Sequence, residues 1–295
     1  MSNPPKVVIT GATSGIGRLA ALALAQKGYH LILTARSPDK ANETMAAIEA
    51  AAPGTPVDVH HVDLTDISSV VRVGYAIAAQ HPRIDVLINN AGLHAFQQRI
   101  TADGFSEMVA VNYLAPWVLT DRLRDALLAA PSARIVTVAS EASRQSDGLN
   151  PSIDLFDTKP FNARGSSMIY GRTKLMNIMF SLELARQLQG QDVAVNCLDP
   201  GFNVTGLGRE LGFAAPLMHV LNWLRIGNPD RGAGLIVKLA TDPAFQTHSG
   251  RYVSGRDAQT ITPISPGDSQ AARMALWSLT ASTVSQMLER DSCSA

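Results

Sequence analysis

The chain has 295 residues, 46% of them apolar, and its 25 basic residues balance 25 acidic ones, so the formal net charge is zero. That length is ample for one large α/β domain with a sizeable core, and no linker-like stretch separates two patterned halves. Neutrality argues against a general nucleic-acid binder and against electrostatic attachment to an anionic membrane.

Lys6–Thr10 reads as a short buried strand that runs straight into Gly11-Ala12-Thr13-Ser14-Gly15-Ile16-Gly17 and then a helix over Arg18–Lys27. Strand, glycine turn and helix together give a glycine motif its meaning. Glycines let the backbone turn tightly and approach a ligand closely, and a helix N-terminus offers N–H groups and partial positive charge to a phosphate. Gly28 ends the helix, and His30–Thr34 is a second strand. At the end of such a strand an acid would hold a ribose 2′-hydroxyl, whereas an Arg accommodates a 2′-phosphate. Arg36 and Ser37 stand here, with no acid until Asp39, which favours NADP(H) over NAD(H).

Asp39–Ala52 reads as a helix and Val57–Val62 as an alternating strand ending in Asp63-Leu64. His60 and His61 are neighbours on that strand and so point to opposite faces. No Cys or acid cluster completes a site around them, and no metal is expected. Asp66 caps a helix running to about Gln80. Ile84–Ile88 is a buried strand ending in Asn89-Asn90-Ala91-Gly92, a sequence suited to a crevice where ligand meets backbone, or to a plain turn. A helix is expected from about Thr101 to Ala129 with Asn112 inside it. Pro116 cannot donate an N–H to the carbonyl of Asn112, which frees an acceptor for a water.

Ala133–Ser140 is the fifth strand, with Ser140 at its carboxyl end. The polar, Gly/Pro-punctuated segment 141–167 reads as a functional insert or flap. A long helix follows from Met168 to Leu188, then a strand over Asp192–Leu198 ending in Asp199-Pro200-Gly201. Residues 202–228 are rich in large apolar groups and could be a substrate lid, ordinary packing or a subunit contact. Pro229–Thr241 reads as a helix, Arg251–Val253 as the last strand, and Asp268–Glu289 as a C-terminal helix. Cys197 and Cys293 read as reduced thiols. Patterned structure from Lys6 onward leaves no room for a signal peptide, and no apolar run approaches the ~20 residues of a membrane span, so a cytoplasmic protein is expected.

Tyr170 and Lys174 lie four apart on the long helix, which places phenol beside ammonium on one face. A phenol near pKa ~10 must fall roughly 3 units, or ~4 kcal/mol, to work at neutral pH. One positive charge ~4 Å away supplies about that much at an effective dielectric of ~20. Such pairs also arise by chance on helix faces, so the rest of the chain decides the reading.

Alternating strands and helices give an α/β fold, a doubly wound parallel sheet of Rossmann type in a single domain over 1–295. On that scaffold the chain resembles the short-chain dehydrogenase/reductase family, most of all its retinol-dehydrogenase-related branch, over about residues 6–255. The resemblance rests on Thr10–Gly17, Asn89–Gly92, Leu33–Arg36, the long gap from Ser140 to Tyr170, Tyr170–Asn177, and Pro200-Gly201 followed by Thr205. It implies a catalytic tetrad of Asn112, Ser140, Tyr170 and Lys174. It also implies a cofactor site built from Gly11, Thr13, Ser14, Gly15, Ile16, Gly17, Arg36, Ser37, Asp63, Leu64, Asn90, Ala91, Gly92, Tyr170, Lys174, Pro200, Gly201 and Thr205. The implied reaction is NADP(H)-dependent hydride transfer between a carbonyl and an alcohol, with Tyr170 as general acid/base. In the implied roles Lys174 lowers the phenol pKa, Ser140 orients the carbonyl, and Asn112 holds a water that links Lys174 to solvent. The expected partner is a small, apolar carbonyl or alcohol, and a homo-oligomer is compatible. Ser14 stands where NADP-preferring members often carry a basic residue. A non-catalytic NADP sensor or scaffold and a reductase of a cyclic C=C bond are the competing readings.

Overall fold

Among the described residues, seven strands pair in parallel into one sheet: β1 (Lys6–Thr10), β2 (His30–Ala35), β3 (Val57–His61), β4 (Val86–Asn89), β5 (Ala133–Val138), β6 (Val193–Asp199) and β7 (Arg251–Ser254). Their order is β3-β2-β1-β4-β5-β6-β7. The computed structural model describes residues 3–201, 229–255 and 258–294. The apolar segment 202–228, read as lid, packing or subunit contact, lies outside them, and so does Thr205.

Alternation along the strands sends side chains to both faces, so both faces must be covered. Val8, Ile32, Leu87 and Ile135 point to one layer, and Val7, Ile9, Leu31 and Leu33 to the other. The second layer contains α1 (Gly15–Gln26), α2 (Pro38–Ala51) and, later in the chain, Pro229–Thr241. The first contains α3 (Ile67–Gln80), two short helices α4 (Ala115–Arg122) and α5 (Arg124–Leu128), and Ala163–Gln187 and Gln270–Ser294. A four-residue helix, α6 (Pro151–Asp154), precedes the three long helices just named, which are α7 (Ala163–Gln187), α8 (Pro229–Thr241) and α9 (Gln270–Ser294). Phe180 of α7 stacks on Trp277 of α9 at 5.8 Å, and Trp117 of α4 lies 5.3 Å from the same indole. This aromatic contact docks the C-terminal helix onto the core.

Two expectations change. The helix over Thr101–Ala129 is interrupted: Thr101–Ser106 is a turn, Glu107–Val109 a single helical turn, and Ala110–Leu114 a π-helical segment leading into α4. Pro116 is the physical reason, since it has no N–H for the carbonyl four residues back and the ladder widens over the turn before it. The segment 141–167 is also more regular than expected. It holds a 3₁₀ turn at Glu141–Gln145 and α6, and α7 starts five residues before Met168 because Asn162 caps it by accepting from the N–H of Gly165 at 2.9 Å. Arg172 ties this segment to α7 through the Asp154 carboxylate at 2.8 Å and the Ser146 carbonyl at 3.2 Å. No helix among the described residues is long and apolar enough to cross a membrane.

Candidate active site

The strand order reverses between β1 and β4, and parallel sheets open a crevice at the carboxyl ends of such a pair. Thr10, the last residue of β1, fastens that point. Its hydroxyl accepts the N–H groups of Asn90 and Ala91, each at 3.0 Å. Asn90 replies with its amide, which donates to the carbonyls of Thr10 at 2.9 Å and Gly11 at 3.2 Å. The Asn89–Gly92 turn is therefore bound to the glycine turn across the sheet's switch point.

The glycines of that turn serve different needs. Gly11 and Gly15 have φ of +67° and +55°, a region L side chains avoid. At Gly17 a Cβ would fall 2.3 Å from Asn90 Nδ2 and 2.5 Å from the Gly11 carbonyl, so only glycine permits this approach. Ser14 caps α1 in extended conformation without spending its side chain on the helix N–H groups. The end of α1 thus keeps donors and partial positive charge toward the crevice.

The crevice has a volume of about 840 Å³, within the range of small-molecule sites. Gly11, Thr13, Ser14, Gly15, Ile16, Gly17, Arg36, Asp63, Leu64, Asn90, Ala91, Gly92, Pro200 and Gly201 all line it, as do Ser140, Tyr170 and Lys174. Ser37 is beside it rather than on its wall and caps α2, accepting from the Lys40 N–H at 3.5 Å.

Asn112 is fully buried behind the wall, and its side-chain amide is committed. Oδ1 accepts from the N–H of Leu93 at 2.8 Å, while Nδ2 donates to the Leu93 carbonyl at 2.9 Å and to Thr173 Oγ1 at 3.0 Å. It therefore clamps the segment after Gly92 to α7. All three of these side-chain bonds go to protein partners, Leu93 and Thr173.

Tyr170 and Lys174, both on α7, line the crevice. The ammonium of Lys174 lies 5.6 Å from the Tyr170 ring centroid and donates to the Val138 carbonyl at 3.0 Å. Burial lowers the Lys174 pKa to about 8. Burial, and then the negative charge of Asp199, push the Tyr170 phenol above its ordinary range. Burial thus pushes both groups toward their neutral forms. At neutral pH the phenol is protonated, the form an acid needs.

Ser140 ends the β5 segment, and its Oγ accepts from the Ala142 N–H at 3.1 Å, which leaves its own proton to donate. Gly171 lets this turn sit directly on α7, because a Cβ there would lie 2.5 Å from the Ala142 carbonyl.

Three members of the site were not picked out from sequence. His94 stacks on Tyr170 with centroids 4.6 Å apart and planes 16° apart, and Phe96 stacks on His94 at 4.6 Å. Ser166 Oγ donates to the Ala95 carbonyl at 2.6 Å, so its 2.8 Å contact with His94 Nε2 places the imidazole proton on Nε2. Buried Asp199 accepts from the N–H groups of Glu141 at 3.0 Å and Gly201 at 3.1 Å. Thr10 is the third. His94 stands two residues after the Asn89–Gly92 turn, Thr10 opens the glycine motif and Asp199 precedes Pro200-Gly201, so each borders a motif without being singled out by it.

The sequence pattern of the family described as short chain dehydrogenase matches residues 5–151. Human retinol dehydrogenase 14 is 33% identical over 289 residues, covering 92% of this chain and 84% of that protein. The chain belongs to the short-chain dehydrogenase/reductase family. Within this family of oxidoreductases it is similar to the retinol dehydrogenase branch, sharing 32% identity with human retinol dehydrogenase 13 over 94% of this chain and 84% of that protein. It is also 34% identical to a Streptomyces sp. (strain C5) protein named as a candidate daunorubicin C-13 ketoreductase, over 94% of this chain and 92% of that one. Among solved structures of short-chain dehydrogenases, a candidate NAD(P)-dependent gluconate 5-dehydrogenase from Beutenbergia cavernae, crystallised with NADP, has a TM-score of 0.65 and 31% identity. That match covers 85% of this chain and 94% of the other.

Proposed function

We propose that this short-chain dehydrogenase/reductase interconverts a carbonyl and an alcohol with NADP(H), using Tyr170 as the proton donor and acceptor. The observation that carries the reading is the Tyr170 phenol lining one crevice with Ser140, Lys174 and a glycine-led helix N-terminus to which the Ser14 side chain makes no capping bond. The residues fit a dinucleotide. Glycines 11, 15 and 17 leave room that a Cβ would fill or strain, and at Gly92 a Cβ would come within 3.3 Å of Lys174 Nζ. Thr13–Gly17 would hold the pyrophosphate, exposed Arg36 a 2′-phosphate, Asp63 and Leu64 the adenine side, and Lys174 the nicotinamide ribose. When bound, the nicotinamide supplies or accepts the hydride.

The chain's own residues do the rest. Ser140 donates a hydrogen bond to the substrate oxygen and fixes its position. Tyr170 gives that oxygen its proton as the alkoxide develops. Asn112 keeps Leu93 and α7 in register, which holds Gly92 against Lys174. The stacked rings of Phe96, His94 and Tyr170 offer an aromatic wall to an apolar substrate. The names of the retinol dehydrogenase and ketoreductase relatives support the same chemistry.

The test is NADPH oxidation against a panel of ketones and aldehydes graded in size and polarity. Alcohol product in step with NADPH loss, best with apolar substrates, is the expected result. Tight NADPH binding without turnover on any of them would support the scaffold reading instead, and loss of a ring C=C bond would support the alkene reductase.

A further inference from the structure

We propose that the end of the sheet remote from the crevice carries a metal site, in which His30, Asp58 and His81 bind one first-row divalent cation of the zinc type. His30 opens β2, Asp58 is the second residue of β3, and His81 follows α3 directly. Register pairs Ile32 with Asp58 and Thr34 with His60, so His30, Asp58 and His60 share the sheet face on which α3 packs. His61 points the other way and is exposed. The His60-His61 pair is thus no site, while one acid and two histidines from three separate elements converge where neighbouring residues gave no sign of it.

The geometry is that of a ligand set. His30 Nε2 lies 2.7 Å and His81 Nε2 3.2 Å from the same oxygen, Asp58 Oδ2. All three ligand atoms fall within 4.8 Å of one another. Atoms around a tetrahedral ion with ~2.0–2.1 Å bonds sit about 3.3 Å apart, so small side-chain rotations suffice. His81 is 3% exposed, and neither of its ring nitrogens has a hydrogen-bond partner; its contact with Asp58 is close but not directed as an N–H···O bond. A buried imidazole lone pair beside a carboxylate is what a zinc-type ion takes. Asp58 is 31% exposed, which leaves a route for the ion and room for a water to complete its sphere.

Burial lowers the His81 pKa, with the charge of Lys6 acting in the same direction and Asp58 against it. Lys6 also opposes the ion, so the affinity rests on the three ligands. Thr34, the first β2 residue on the crevice wall, lies four residues along the strand from His30, roughly 13 Å at ~3.3 Å per residue. An ion here touches no cofactor or substrate; it clips β2, β3 and the end of α3 together.

The test uses the full chain without added histidines, stripped by a chelator and titrated with Zn²⁺ and Co²⁺ by calorimetry and visible absorption. One equivalent per chain is expected, with a higher melting temperature. His30→Gln and Asp58→Asn should each weaken binding by about 100-fold or more, beyond what even loss of a ligand's supporting partner costs. His61→Ala should bind as the wild type does. Affinity should fall from pH 7 to 5 as protons compete for the histidines. No saturable binding by the wild type, or a full equivalent retained by both His30→Gln and Asp58→Asn with their folds intact, would overturn the assignment.

Discussion

Gly171 sits between the catalytic candidates Tyr170 and Lys174 without touching chemistry, yet it sets how closely Ser140 can approach them. A methyl there would meet the Ala142 carbonyl at 2.5 Å and the Ser146 N–H at 3.1 Å, both backbone atoms. Overpacking of this kind costs about 1–3 kcal/mol. Gly171→Ala should lower the melting temperature and reduce kcat while NADPH affinity holds, and an unchanged melting curve would show that the turn yields freely. Arg36 makes a second residue-level prediction. Arg36→Ala should weaken NADPH binding about 10- to 100-fold, the worth of a charge-assisted contact, and leave NADH binding little changed. Equal losses for both would contradict a 2′-phosphate contact. Lys174 makes a third. Its pKa of about 8 in the folded protein stands below the ordinary 10.5, so between these values the unfolded chain holds a proton that the folded chain has released. Stability contributed at this residue therefore rises with pH through that window. From pH 7.5 to 9.5 the wild type should gain roughly 2 kcal/mol relative to Lys174→Met in urea melts, and parallel curves would mean that the ammonium is better solvated than its burial implies.

At the scale of elements, the π-helical segment Ala110–Leu114 is where sequence and structure part most. Pro116 and Asn112 together pointed to an irregular carbonyl, but the widened helix and the two-way clamp on Leu93 depend on a partner in α7, Thr173, 61 residues away. Asn112→Ala removes that clamp and leaves both main-chain groups of Leu93 to find new partners. Leu93 is half-buried, so water can meet part of that need, and a loss of about 1–3 kcal/mol, the cost of one orphaned group, follows. Chemical denaturation reads it directly, and a loss under 1 kcal/mol would mean that Leu93 is not held through Asn112. The strands were legible because apolar runs buried on both faces have few alternatives, and the glycine turn because its flanks were strand and helix. The Phe96–His94–Tyr170 stack and the His30–Asp58–His81 group were not, because each joins elements whose adjacency only the folded sheet creates.

For the molecule as a whole, the switch point between β1 and β4 explains why residues from seven parts of the chain meet in one crevice. Thr10 and Asn90 brace that point, α7 delivers Tyr170 and Lys174 to it, and α9 backs α7 through Trp277. The central claim is that Tyr170 passes a proton to substrate bound in this crevice beside NADPH. The most direct measurement is single-turnover NADPH oxidation by Tyr170→Phe, set beside its NADPH affinity. The account predicts a rate at least ~100-fold below wild type, the low end of general-acid contributions, with affinity unchanged. A rate within a few-fold of wild type would contradict it.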